Sequence, residues 1–272
     1  MAFRYDLGFI GAGNMAEGIV AAVVDRRLYE PARIIVADPV PERRALFADR
    51  FSVAVSEDNN QVAQQAGRIV LAVKPQTFDE AARSFSASVG ADHLLVSIMA
   101  GVSTDRIRKA FPGLDVRVVR AMPNLPIRVG AGMTGLCAGA HATADDLARA
   151  EAIFRAGGGT VVVRDESLMD AVTAVSGSGP AYFYYFVEAL TAGGVACGLD
   201  EADALALAEH TCLGAARMML ESGEPPSQLR AKVTSKGGTT QAALERMARD
   251  GVEQAIRAAV QAAFERGRQL GA

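Results

Sequence analysis

Short apolar runs alternate with amphipathic stretches through the first 165 residues of the chain. The runs are rich in valine and isoleucine, which favour strands, and the stretches between them have helical spacing. Alternation of this kind predicts a mostly parallel sheet covered by helices on both faces. Strands are predicted over residues 6–10, 33–37, 53–55, 69–73, 94–98, 116–120, 134–137 and 160–163. Helices are predicted over residues 15–26, 42–49, 61–65 and 78–84.

The pattern changes near residues 164–166, beyond which no alternating strand pattern remains. Long stretches rich in alanine and leucine follow, so we predict an α/β domain at 1–164 and an all-α domain at 165–272. The predicted helices of this second domain are residues 168–175, 181–197, 201–221, 240–249 and 252–270. Several are apolar around most of their circumference, which is typical of buried helices. A domain of this size cannot bury them alone, so we expect it to dimerise.

Composition narrows the class of protein. The chain has 272 residues, half of them hydrophobic, with a net charge of −3, which does not favour binding to nucleic acid or to a membrane surface. The three cysteines form no CxxC pair, and no apolar run or N-terminal pattern indicates a membrane span or a signal peptide. We therefore expect a cytoplasmic protein with reduced thiols. The three histidines lack metal-ligand spacing, so no metal site is expected.

A glycine-rich motif, LGFIGAGNMA at residues 7–16, joins the first predicted strand to the first predicted helix. Its G-x-G-x-x-A spacing is typical of the Rossmann turn that binds a dinucleotide, because Gly11 permits the tight turn and Gly13 lets the backbone approach the pyrophosphate. The alternative is a glycine-rich turn in an unrelated α/β protein. The predicted cofactor-binding residues of this turn are Gly11, Ala12, Gly13, Asn14 and Met15.

Asp38 follows the second predicted strand, where an acidic residue accepts hydrogen bonds from the adenosine ribose hydroxyls. Its carboxylate would repel the 2′-phosphate of NADPH, which favours NADH. Arg43 and Arg44 oppose this interpretation, because they could reach a 2′-phosphate if the loop folds back. They could equally lie on a solvated helix face.

Ligands of open α/β sheets bind at the carboxyl ends of the strands. The motif LAVKP at residues 71–75 ends one strand, and an ordinary loop lysine is the alternative for Lys74. Two prolines around residues 122–124 predict a rigid loop near the nicotinamide. The strand-end residues predicted to bind the cofactor are Ala72, Val73, Lys74, Pro75, Ala100 and Asn124.

Five ordered motifs resemble the pyrroline-5-carboxylate reductase family and extend from residue 9 to about residue 244. They are FIGAGNMA at 9–16, LAVKP at 71–75, RAMPNLP at 120–126, DAVTAVSGSGPAY at 170–182 and LRAKVTSKGGTTQAAL at 229–244. The resemblance implies a Rossmann domain, a helical dimerisation domain, and reduction of L-1-pyrroline-5-carboxylate to L-proline with NADPH or NADH. It also implies dimers or assemblies of dimers.

The same resemblance implies roles for particular residues. Thr240 matches the threonine that hydrogen-bonds the ring nitrogen, and Asn59 matches an asparagine near the adenosine side of the cofactor. The chain departs from the family at Lys236, where many members have proline, and at Asp38, which is more acidic than in NADPH-preferring members. The residues implied to bind the substrate are Val233, Ser235, Gly237, Gly238, Thr239 and Thr240.

The turn at residues 233–240 supports this assignment on physical grounds. Backbone N–H groups of a glycine-rich turn beside a helix start, with the hydroxyls of Ser235, Thr239 and Thr240, suit a small carboxylate. The alternative is a plain helix cap. The turn SGSGP at residues 176–180 has two interpretations as well, a wall beside the nicotinamide or a helix kink at Pro180.

The sequence offers no obvious His–Asp or Tyr–Lys catalytic pair. A ketone reductase needs a proton donor for the developing alkoxide, whereas a cyclic imine can be protonated before hydride arrives. The missing pair therefore favours imine reduction, in which positioning carries much of the catalysis. Two alternatives stay open: a β-hydroxyacid-dehydrogenase-like reductase, and a catalytically silent NAD(P)-binding protein.

Overall fold

The computed structural model describes residues 3–271. Eight strands form one sheet in this part of the chain. They are β1 (Leu7–Ile10), β2 (Ile34–Ala37), β3 (Ala54–Ser56), β4 (Arg68–Leu71), β5 (Leu94–Ser97), β6 (Arg117–Met122), β7 (Gly132–Ala138) and β8 (Gly158–Val162). Each corresponds to a strand predicted from an apolar run, with ends that shift by at most two residues.

Twelve α-helices occur in the described residues. The first six are α1 (Asn14–Asp25), α2 (Pro41–Phe51), α3 (Asn59–Gln65), α4 (Phe78–Phe85), α5 (Thr104–Lys109) and α6 (Ala144–Arg155). The others are α7 (Met169–Val172), α8 (Gly179–Ala196), α9 (Glu201–Ser222), α10 (Pro226–Lys232), α11 (Thr239–Arg249) and α12 (Val252–Gly271). Helices α5, α6 and α10 have no counterpart among the predicted ones.

The strand order is β3-β2-β1-β4-β5-β6-β7-β8. All neighbouring pairs are parallel except β6 and β7, which run antiparallel. The connections reverse direction at β1, which lies between β2 and β4, and this switch point opens a crevice at the carboxyl ends of the strands. The expected Rossmann-type, mostly parallel sheet is confirmed.

Helices cover both faces of the sheet. On one face, Phe9 and Val96 pack with Ile19 of α1 and Phe154 of α6 in a buried cluster. On the other face, alternate residues of the same strands pack with Val62 of α3 and with α4 and α5. Two-sided burial explains why the inner strands have continuous apolar runs rather than alternating apolar and polar residues.

The described chain divides into two compact units, residues 3–178 with 263–271, and residues 179–262. The end of α12 therefore belongs to the first unit, where Gly271 lies against the backbone of Gly101. The domain boundary at residue 164 was inferred from a change in composition, whereas the compact units are defined by packing. That domain boundary therefore stays a prediction.

The second unit is entirely helical, with α8 and α9 packed against each other. Most of the apolar side chains on these two helices are exposed in the single chain; Tyr185 is 73% exposed and Leu220 is 85% exposed. An apolar surface of this extent marks a site of association. None of the helices between residues 3 and 271 is long and apolar enough to cross a membrane.

Candidate active site

The turn between β1 and α1 has the geometry that its glycines require. Gly11 has a φ of +101°, and a Cβ there would lie 2.7 Å from the backbone of Ala72. The backbone N–H of Gly11 donates to the carbonyl of Ala37, and that of Ala72 donates to Ile10, so neighbouring strand ends fix the turn. A side chain at position 11 would therefore strain the backbone and clash with the end of β4.

The start of α1 is open above Gly13. No described atom lies within 4 Å of the position that a Cβ on Gly13 would take, and no described side chain caps the helix. The helix N-terminus thus presents backbone N–H groups and its positive dipole end to open space. The geometry fits the pyrophosphate of a dinucleotide, because a phosphate can reach these groups without displacing a side chain.

Asp38 lies at the carboxyl end of β2, as predicted, and its carboxylate is fixed by backbone donors. The N–H of Ala12 donates to Oδ2 at 2.7 Å and the N–H of Val40 donates to Oδ1 at 2.9 Å. Both oxygens keep free lone pairs, so the carboxylate can still accept hydrogen bonds from ribose hydroxyls.

The two arginines after β2 bond to the protein itself. Arg43 donates from Nε to the carbonyl of Ala12 at 2.6 Å and from Nη2 to Glu17 at 3.0 Å. Arg44 donates from Nη1 to the carbonyls of Asp38 and Pro39. Neither side chain is the freely solvated one of the alternative interpretation.

The other predicted cofactor residues occupy ends of strands and starts of helices. Val73 and the exposed Lys74 follow β4, Pro75 begins a 3-10 turn, and Ala100 follows β5. The Lys74 side chain makes no hydrogen bond or ion pair with any described residue, so it is available to a ligand. Asn59 is the first residue of α3 and donates from Nδ2 to Ser84 at 3.1 Å.

Asn124 has a structural partner that its motif did not indicate. Its Nδ2 donates to the carbonyl of Ser176 at 3.1 Å, and its Oδ1 accepts the N–H of Met133 at 2.8 Å. Ser176 lies in a π-helical turn, Thr173–Gly177, which widens the backbone before α8 begins at Gly179. Pro180 therefore stands in the first turn of α8, where it is compatible with the helix, and the irregular backbone precedes it.

Sequence reasoning missed several buried charged residues, among them Arg120 and Glu17. Arg120, in β6, pairs with Glu166 at 3.2 Å and with Asp170 at 3.6 Å, which ties the segment after β8 to the sheet. Glu17, in the first turn of α1, accepts from three arginines. A charge inside an otherwise apolar run was the available signal, because such a group is rarely buried without a partner.

The predicted substrate turn joins α10 to α11. Gly237 has a φ of +72° and donates its N–H to Oε1 of Gln241, and Gly238 is the N-cap of α11. No described side chain caps this helix, and the N–H groups of Thr239 and Thr240 bond to no described residue. The turn thus leaves donors free for an anion, and the plain helix cap proposed as the alternative is not formed.

The side chains of Cys137 and His93 are both buried. Burial raises the pKa of the Cys137 thiol, which disfavours the nucleophilic thiolate. His93 is buried and bonds from Nε2 to the carbonyl of Ala63 at 2.7 Å. Within residues 3–271 no group of three or more His, Cys, Asp or Glu side chains could hold a metal ion.

Comparisons with known proteins agree with these features. A family model described as pyrroline-5-carboxylate reductase dimerisation matches residues 166–270, and one described as NADP oxidoreductase, coenzyme F420-dependent, matches residues 6–101. The pyrroline-5-carboxylate reductase of Synechocystis sp. is 46% identical over 265 residues, covering 97% of this chain and 98% of the relative. That of Escherichia coli (strain K12) is 37% identical, with 97% of each chain covered.

Solved structures give the same result. A pyrroline-5-carboxylate reductase from Coxiella burnetii matches with a TM-score of 0.93 at 37% identity, covering 99% of each chain. Pyrroline carboxylate reductase of Plasmodium falciparum, solved with NADP bound, matches with a TM-score of 0.88 at 26% identity, covering 100% of each chain. The chain belongs to the pyrroline-5-carboxylate reductase family.

Proposed function

We propose that this chain is an NAD(P)H-dependent pyrroline-5-carboxylate reductase, which forms L-proline from the cyclic imine L-1-pyrroline-5-carboxylate in the last step of proline biosynthesis. The observation that carries the proposal is similarity along almost the whole chain to reductases of this name. The glycine-rich turn with its uncapped helix and the free donors of the second turn support it independently.

The bound dinucleotide supplies the hydride. The N–H groups at the start of α1 would bind its pyrophosphate, and Asp38 would accept hydrogen bonds from its adenosine ribose. The residues after β4 and β5 would border the rest of the cofactor, with Asn59 on the adenosine side. Lys74 is the free cation of this set.

The turn between α10 and α11 would bind the substrate. The free N–H groups of Thr239 and Thr240, with the Ser235 hydroxyl, suit its carboxylate. We propose that the hydroxyl of Thr240 hydrogen-bonds the ring nitrogen and orients the imine carbon. The nitrogen can be protonated before hydride arrives, so orientation rather than a strong acid carries the chemical step.

We further propose that NADH is preferred over NADPH. Asp38 places a carboxylate at the ribose site, where it would repel a 2′-phosphate. Arg43 and Arg44, the cations that could offset this repulsion, are engaged with acceptors of the protein. Comparing kcat/KM for the two cofactors tests the preference, and a strong preference for NADPH would contradict our account of Asp38.

We propose that the helical unit forms a homodimer or an assembly of dimers, because α8 and α9 expose apolar side chains that a partner would cover. The three cysteines are free thiols in the structure, which supports a reducing compartment, and we propose the cytoplasm.

One assay tests the function. NADH and NADPH oxidation would be followed at equal concentrations with L-pyrroline-5-carboxylate, and small hydroxy acids would be tested with the oxidised cofactors. We expect turnover of the imine and none of the hydroxy acids. Turnover of hydroxy acids alone would support a β-hydroxyacid dehydrogenase, and nucleotide binding without any turnover would support a silent binding protein.

A further inference from the structure

We infer that Glu17 is a determinant of cofactor specificity, which acts by holding the guanidinium of Arg43 beside the ribose site. The inference rests on the proposed function, because it assumes that the glycine-rich turn binds a nicotinamide dinucleotide. It concerns a residue outside the predicted cofactor set, on the buried side of α1 rather than in the turn.

The carboxylate of Glu17 is buried and is surrounded by arginine side chains. It lies in the first turn of α1 and is 5% exposed, between residues that pack into the core. Its Oε2 accepts from Arg43 at 3.0 Å, and its Oε1 accepts from Arg50 at 2.7 Å and from Arg128 at 3.2 Å. Both oxygens are therefore committed to guanidinium donors, two of them from α2 and one from the 3-10 turn Leu125–Val129.

Arg43 connects this carboxylate to the nucleotide turn. While Nη2 contacts Glu17, Nε donates to the carbonyl of Ala12, and the N–H of Ala12 donates to Asp38. The backbone of one residue, Ala12, thus connects the Arg43 guanidinium to the carboxylate expected to bind the ribose. Of the three arginines around Glu17, it has the hydrogen bond to the turn, so it is the cation placed to meet a 2′-phosphate.

The contact with Glu17 weakens the attraction between the Arg43 guanidinium and a 2′-phosphate. A guanidinium that bonds a buried carboxylate must share its charge with it or lose that bond, and the carboxylate itself repels a second anion. Asp38 and Glu17 therefore act together: Asp38 repels the 2′-phosphate directly, and Glu17 withholds the cation that would compensate for that repulsion.

The binding of two mononucleotides tests this without turnover. AMP and adenosine 2′,5′-bisphosphate differ by the 2′-phosphate alone, and titration calorimetry of the full chain gives the ratio of their Kd values. The Glu17→Gln substitution keeps the size and removes the charge. We expect the bisphosphate to bind about tenfold more tightly relative to AMP in this variant, the scale of one hydrogen bond to a charged group.

Two variants make the test specific. Glu42→Gln makes the same charge change one residue from Arg43, at an exposed side chain that bonds to no described residue, and it should leave the ratio unchanged. Adding Arg43→Met to Glu17→Gln should abolish the gain. An unchanged ratio in Glu17→Gln, or a gain that survives in the double variant, would overturn the inference.

If the Glu17→Gln variant does not fold, the single Arg43→Met variant tests the role of Glu17 instead. We expect an unchanged ratio in this variant, because Glu17 already holds the Arg43 guanidinium in the native chain. A tenfold loss of affinity for the bisphosphate would overturn the inference. The two hypotheses fail in different ways. Absence of AMP binding to the native chain would contradict the dinucleotide site itself, whereas AMP binding with no change in the ratio would contradict the role of Glu17 alone.

Discussion

The hydroxyl group of Thr240 is the side-chain group on which the proposed chemistry depends most. It lies in the first turn of α11 and bonds to no described residue, so it is free to meet a substrate. We expect Thr240→Ala to lower kcat/KM by about 10- to 1000-fold, the range for losing one positioned hydrogen-bonding group. Steady-state kinetics with saturating cofactor measure this effect.

Two further variants separate the chemistry from the local structure. Thr240→Ser keeps the hydroxyl and should retain most of the rate. Thr234→Ala removes a hydroxyl from the same turn, but one that donates to the carbonyl of Arg230 at 2.6 Å, so it should have little effect on kcat/KM. An unchanged rate in Thr240→Ala would exclude Thr240 from the proposed role.

The position of an individual residue can be predicted from sequence when the residue belongs to a local motif. The position of Asp38 directly after β2 could be predicted because its distance from the glycine-rich turn follows from the strand–helix–strand unit. Glu17 was missed because its partners lie 26, 33 and 111 residues away along the chain. No helical or strand periodicity relates such positions, so the cluster becomes visible only when the fold is known.

At the scale of elements, burial decides what could be predicted. The inner strands are buried on both faces, and the edge strands β3 and β8 are partly exposed. All eight were nevertheless identified by their apolar runs. Helices α5 and α10 are short and polar, so they have no marked apolar periodicity. Helix α6 was identifiable in principle, because Thr143 and Asp146 form a capping box, a signal that apolar periodicity does not include.

The π-helical turn at Thr173–Gly177 could not be predicted, since tertiary contacts hold it. Asn124 is 8% exposed and donates to the Ser176 carbonyl. Asn124→Asp replaces this donor with a carboxylate facing a carbonyl, and we expect it to lower the free energy of unfolding by about 1–3 kcal/mol. Urea titration followed by far-UV circular dichroism measures the change.

The matched control for this prediction is Asn60→Asp. Asn60 uses its Oδ1 to accept from the Ser88 hydroxyl at 2.7 Å, and aspartate keeps that acceptor. The same substitution should therefore be nearly neutral at position 60. Equal destabilisation at both positions would show that the charge, rather than the lost donor to Ser176, is responsible.

At the scale of the whole molecule, the apolar surface of the second unit is the dominant feature. Phe183 is 60% exposed on α8 and Leu207 is 58% exposed on α9, and neither helix buries much apolar area in the single chain. The sequence indicated this surface, because helices that are apolar on most sides cannot all be buried in so small a unit. The proposed partner, a second copy of the chain, would contribute the same residues, so the pattern of a single sequence does not show where it would bind.

We expect the chain to sediment as a dimer or larger assembly at micromolar concentration, because leaving these faces in water would cost about 25 cal/mol for each Å² of apolar surface. The double substitution Phe183→Asp with Tyr185→Asp puts two charges on α8 and should shift the equilibrium toward monomer. Val129→Asp makes the same kind of change at an 80% exposed residue of the first unit, and it should leave the assembly intact. A native chain that stays monomeric at this concentration would remove the homo-oligomer from the proposal, and an equal loss of assembly in both variants would place the interface outside the helical unit.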